Sequence, residues 1–139
     1  MKRLAIFFAV LLLTLGAQAQ KESLFKGLLY NSKYKITIHL DLDSETVKVP
    51  GLDMLGGTNG YMSGGLVFGT WFVTDFKKKS NSATLRFTND FGADTQEVEI
   101  THQKADTFNV VLRPPVVMRK AVKNKLVKIG VTKFTFVKK

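Results

Sequence analysis

Apolar and polar residues alternate along most of this chain. Between Tyr34 and Leu42, the positions Ile36, Ile38, Leu40 and Leu42 are apolar, and Lys35, Thr37, His39 and Asp41 lie between them. A repeat of two is the mark of a half-buried strand, because successive side chains leave a pleated backbone on opposite sides. Asp43-Ser44 supplies turn chemistry, Val47 and Val49 resume the apolar positions, and Pro50-Gly51 stops the pairing. The segment therefore predicts a hairpin, preceded by a strand from Leu24 to Tyr30 and joined to it through Asn31-Ser32-Lys33.

The same period returns downstream. Leu66 to Phe76 is apolar on both faces around Trp71, and Ala83, Leu85 and Phe87 alternate with Thr84, Arg86 and Thr88. After the turn-forming run 89–94, Val98 and Ile100 alternate with Glu97, Glu99 and Thr101. Phe108, Val110 and Leu112 make a further inward set, stopped by Pro114-Pro115. Strands are also expected near Val116 to Arg119, Lys125 to Ile129 and Thr132 to Val137, about nine or ten in all. No window carries an apolar stripe at helical spacing. The fold class is therefore all-β, a single small antiparallel barrel or, second, a two-sheet β-sandwich.

Residues 52–65 interrupt the alternation with Gly56, Gly57, Gly60, Gly64 and Gly65. Glycine at this density permits sharp bends and weakens strand pairing, which predicts a long connection or bulged strands at a barrel corner. A lid over a cavity is the functional alternative, with Met54, Leu55, Tyr61, Met62 and Trp71 as candidate contacts for an apolar or amphipathic ligand. The stretch is not a phosphate-binding loop, since no Gly-Lys-Ser/Thr follows it.

At the start of the chain, Lys2 and Arg3 precede an apolar run from Leu4 to Leu13, and Ala17-Gln18-Ala19 follows. These are the three parts of a secretory signal, with cleavage expected after Ala19. The run is shorter than the ~20 residues that span a bilayer, which argues against an anchor. Residues 1–19 are thus read as a removed signal peptide and 20–139 as one domain, exported to the periplasm or exterior of a Gram-negative-type bacterium. The absence of Cys leaves stability to an ordinary core and rules out an acylated cysteine anchor.

Loss of Lys2 and Arg3 leaves 19 basic residues against 11 acidic, a net charge of +8. The asymmetry is concentrated: 113–139 holds nine basic residues and no acidic one, whereas 20–112 is nearly neutral. Such a segment attracts polyanions at long range. Arg119, Lys120, Lys123, Lys125 and Lys128 are its candidate contacts with an anionic envelope polymer or acidic protein, nucleic acid being out of place in that compartment.

Catalytic and metal signatures are sparse. The two histidines, His39 and His102, have neither Cys partners nor ligand spacing, so no zinc signature exists. Asp41, Asp43 and Glu45 resemble the first ligand positions of an EF-hand, but Thr46 stands where the glycine belongs and no closing glutamate follows, so a turn explains them. Asn89, Asp90 and Asp94 are likewise read as turn residues, and no cofactor motif is present. Without a nucleophile and base in one motif, the chain reads as a non-enzymatic binding protein. Its first functional reading is a barrel holding an apolar or amphipathic small molecule. Docking on an anionic partner through the basic C-terminal third is the alternative.

Gly69-Thr70-Trp71 resembles the Gly-x-Trp of lipocalins and related calycin barrels. The resemblance implies a small exported barrel of lipocalin or calycin shape with Trp71 in its core. In lipocalins the motif lies on the first strand, whereas about four expected strands precede it here, so no ligand residues are carried over. A transmembrane barrel is the remaining all-β alternative. The short strands and the Lys138-Lys139 ending depart from that pattern.

Overall fold

The structure, a computed structural model, describes residues 24–90 and 94–139. The expected signal peptide and its cleavage site lie outside the described residues. Eight strands form a closed barrel: β1 (Lys26–Asn31), β2 (Ile36–Asp41), β5 (Gly60–Ser63), β6 (Trp71–Lys78), β7 (Ser82–Asn89), β8 (Thr95–Lys104), β9 (Thr107–Leu112) and β12 (Lys133–Lys138). Each pairs antiparallel with the next barrel strand in the chain, and β1 closes the ring on β12 through Leu29↔Lys138 and Tyr30↔Val137. Closure decides for the barrel over the sandwich. Two smaller ladders are inserted: β3 (Val47–Lys48) with β4 (Gly57–Thr58), and β10 (Arg119–Val122) with β11 (Lys125–Lys128).

The alternation read from the sequence is the alternation of inside and outside. Ile36, Ile38, Leu85, Phe87, Val98, Ile100, Phe108, Val110 and Phe136 are all essentially inaccessible and meet along the barrel axis. Outside, one row crosses five strands as Lys77, Thr84, Glu99, Val111 and Lys133. An apolar inside and a largely polar outside is the reverse of a transmembrane barrel with a polar lumen. Among the described residues, no helix is long and apolar enough to cross a membrane.

Four local expectations are corrected. Val47 and Val49 do not return onto β2; β2 pairs with β1 and β5, while β3 pairs with β4. The reason lies at Asp41, whose carboxylate accepts hydrogen bonds from the Asp43 and Ser44 amides and the Ser44 and Thr46 hydroxyls at 2.8–3.2 Å. That knot turns the chain off the barrel at the end of β2. Second, the glycine-rich stretch contains a barrel strand, β5. Leu40 pairs with Gly27 on one side and Gly60 on the other, and a Cβ on Gly60 would collide with the His39 carbonyl oxygen. Glycine there provides space for a neighbour, and Gly60 holds φ +153°. Third, the strand expected from Leu66 starts only at Trp71, because Gly64, Gly65 and Gly69 adopt positive φ in the preceding loop. Fourth, the strand expected at Val116 to Arg119 begins at Arg119 and runs to Val122.

Gln96 ties the long β9–β12 connection to the wall. Its side chain is fully buried; Nε2 donates to the Glu97 and Arg113 carbonyls and Oε1 accepts from the Val117 amide, each at 2.9 Å. Gln96→Leu keeps the volume but removes the partners of the Arg113 carbonyl and the Val117 amide, and is expected to cost about 1–3 kcal/mol in urea unfolding. Asp41 yields a second prediction. Burial raises its pKa, but the Thr46 and Ser44 hydroxyls, the Asp43 amide and the charge of Lys26 outweigh it and leave the pKa below the ordinary 3.8. A carboxyl depressed on folding contributes its stability in full above the unfolded value and loses it as pH falls through the folded value. The stability gap between wild type and Asp41→Asn should therefore be constant from about pH 7 to about pH 5 and close below 3.8, read by urea unfolding at each pH.

Candidate functional site

Antiparallel order places the loops at two ends. One end gathers the β1–β2 turn, the β5–β6 loop, the described residues Asp90 and Asp94 between β7 and β8, and the long β9–β12 connection. The Leu66 amide donates to the Tyr34 carbonyl at 3.0 Å and the Phe68 amide to the Arg119 carbonyl at 2.8 Å, which binds these loops together. The β10–β11 hairpin rises from this end.

A two-stranded hairpin is marginal in water by itself. This one is rooted: Met118 and Ile129, at its base, are buried in the core, and the Ile129 amide donates to the Met118 carbonyl at 3.2 Å. Beyond that base every residue of β11 is exposed. Opposed residues of an antiparallel pair share a face. One face therefore carries Arg119, Lys128, Ala121 and Leu126, and the other carries Lys120, Val127, Val122 and Lys125. At the tip, Lys123 and Asn124 both hold positive φ, 48° and 65°, as a two-residue type I′ turn requires.

The five basic residues expected to form an anionic contact, Arg119, Lys120, Lys123, Lys125 and Lys128, thus converge on one projecting element. Among the described residues, ion pairs form between Lys78 and Asp43 at 2.7 Å and between Arg113 and Glu99 at 2.5 Å. Neither involves the hairpin. Lys33, Lys35 and Lys133 lie at the same end, where the described loops supply Asp90 and Asp94 as acids.

The residues expected to line an apolar site do not converge. Met54 and Leu55 sit in a short 3₁₀ turn at the opposite end, Met54 85% exposed. Tyr61 is on the outer wall, edge-on to His39 with ring centres 5.8 Å apart. Met62 and Trp71 are buried neighbours across the β5–β6 ladder. Trp71 also floors a cleft of about 190 Å³ at the hairpin end, shared with Phe68, Leu126 and Arg119, and its Nε1 donates to the Phe68 carbonyl at 3.1 Å. That cleft is smaller than the ~300 Å³ at which small-molecule sites begin. A larger groove, about 530 Å³, runs over the outer wall of β6–β8, but mixed charges line it, among them Asp75, Arg86, Glu97 and Arg113.

His39 and His102 stand on β2 and β8, diametrically opposed in the eight-strand ring. His102 bonds the Ala105 carbonyl through Nε2 at 2.8 Å and packs against Phe108. No group of three or more His, Asp or Glu among the described residues could hold a metal ion. The sequence signal that did locate the basic hairpin was the acid-free run from Arg113 to the end of the chain. Phe68 was missed as a neighbour of the hairpin, since only the fold brings the β5–β6 loop against β10.

No family model matches the sequence, and no curated protein matches it. Among solved structures the chain is similar to Tp0751 (pallilysin) of Treponema pallidum, with a TM-score of 0.50, 10% identity and 96% of each chain covered. At that identity the likeness is one of fold.

The tip turn is open to test. Type I′ turns favour Asn-Gly, whereas here Lys and Asn fill the two positions. Asn124→Gly should relieve left-handed strain of roughly 0.5–1 kcal/mol and slow amide exchange across β10–β11 about two- to fivefold, with the barrel amides unchanged.

Proposed function

We propose that this chain is an exported, non-enzymatic envelope module that docks on an anionic polymer or acidic surface through the β10–β11 hairpin. The supporting observation is the clustering of five basic side chains, without acid partners among the described residues, on a hairpin rooted in the core but exposed beyond its base. Unpaired lysines on a projecting element keep their field available to a partner. Bases neutralised within the wall, as Arg113 is by Glu99, do not. Export to the cell envelope is part of the proposal and rests on the signal-like residues 1–19.

A carrier role for an apolar small molecule has less support. The barrel axis is occupied by aromatic and branched side chains, including Phe87, Phe108 and Phe136, so the ligand would be confined to the mouth cleft beside Trp71.

Retention on an immobilised polyanion such as heparin tests the docking reading. The wild-type protein should bind at low salt and elute as salt rises, because exposed charges are screened beyond the Debye length of about 10 Å at 0.1 M. Charge reversal at Lys120, Lys123 and Lys125 should abolish retention without lowering the melting midpoint. Retention unchanged by those reversals would sink the proposal. A salt-insensitive thermal shift with fatty acids, accompanied by altered Trp71 emission, would instead favour the carrier role.

A further inference from the structure

The bases on the hairpin are interleaved with apolar residues. Val122, Leu126 and Val127 are 41%, 46% and 44% exposed, and Phe68, bonded through its amide to the Arg119 carbonyl, is 42% exposed beside them. Half of the large hydrophobic residues most exposed among the described residues therefore sit at this one end, the others being Leu28, Met54, Leu55 and Val137. Register fixes the pattern. On one face Lys120 stands opposite Val127 and Val122 opposite Lys125, so each valine has a base across the ladder from it, and on the other face Leu126 lies beside the Arg119–Lys128 pair.

From this arrangement we infer that the hairpin's partner is the surface of an anionic phospholipid bilayer, into which its apolar side chains insert. The inference rests on the docking reading and narrows it. A soluble polyanion can satisfy Lys120, Lys123, Lys125 and Lys128 but offers nothing to Val122, Leu126, Val127 and Phe68. A bilayer interface satisfies both sets: apolar side chains enter the boundary between headgroups and acyl chains, while lysine stems lie along apolar surface and deliver their ammonium groups to the phosphates. Dimensions agree. Four residues of strand span roughly 14 Å, enough to cross the roughly 5–10 Å over which interfacial segments are buried, with the base still in the barrel. The rooted base orders the hairpin before contact, so little chain entropy is lost on docking.

The test compares vesicles of phosphatidylcholine, with and without phosphatidylglycerol, against heparin for the purified protein. Wild type should co-sediment with the phosphatidylglycerol vesicles. V122T/V127T keeps β-branching and shape, so the ladder persists while apolar surface is lost. It should bind those vesicles about tenfold more weakly, a loss on the scale of two buried methyl groups, with heparin retention unchanged. Leu126→Thr provides a second, independent variant, and unchanged melting midpoints show that both fold. Vesicle binding undiminished in both variants, or heparin retention without vesicle binding in wild type, would overturn the bilayer assignment and leave the docking reading standing. Loss of both vesicle and heparin binding in wild type would remove both.

Discussion

The structure depends on one constraint, the closure of an eight-strand sheet around an interior only wide enough to be filled. The seam is short. Leu29 and Tyr30 of β1 meet Lys138 and Val137 of β12, and the Lys138 side chain lies over Gly27 and reaches the Leu24 carbonyl at 3.5 Å. Closing that seam leaves no barrel strand with a free edge, the feature that makes open sheets prone to pairing with other chains. It also sets the circumference. At eight strands, inward side chains reach one another across the axis, and here Phe87, Phe108, Phe136 and their aliphatic neighbours do so.

A filled interior moves any recognition to the ends and the outer wall. The two inserted ladders occupy opposite ends and differ in a way that matters. At one end Val47 and Val49 are buried and Asp41 gathers the turn around its carboxylate, so the insertion folds back on the protein. At the other end Met118 and Ile129 are buried but the strands between them are not. The first insertion is partly buried. The second is a projection, held out by a buried base and by Gln96 behind it. Exposed valine and leucine on such a projection cannot be assigned to the core, and the bases beside them cannot be assigned to ion pairs within the wall. Both properties support the proposed docking on a partner that is charged and apolar at once.

Periodicity was enough to establish that this chain forms strands and which residues of Ile36–Leu40, Ala83–Phe87 and Phe108–Leu112 face inward. Composition was enough to show that the positive charge is concentrated after Leu112, the last inward position of β9, in the acid-free run that starts at Arg113. Alternation could not supply the partner of each strand. The strand at Gly60 was hidden because its glycine makes room for Leu40, a residue of a different strand. The β3 segment was misassigned because the Asp41 carboxylate binds the turn that follows it and directs the chain away from β2.

The candidate site divides in the same way. The bases of the hairpin were legible because they are close together in sequence and lack acids among them. The apolar set was not: Met54, Leu55, Tyr61, Met62 and Trp71 are close in sequence but are distributed by the fold between the far end, the outer wall and the core. Phe68 joins the hairpin through a backbone bond to Arg119, far along the chain, and through the cleft it shares with Leu126. The sequence by itself determined strand periodicity, the inward residues and the location of charge, since each is written in neighbouring positions. Tertiary structure alone decided closure, the filling of the interior and the exposure of the hairpin, because these depend on which distant strands meet and on how much space their side chains leave.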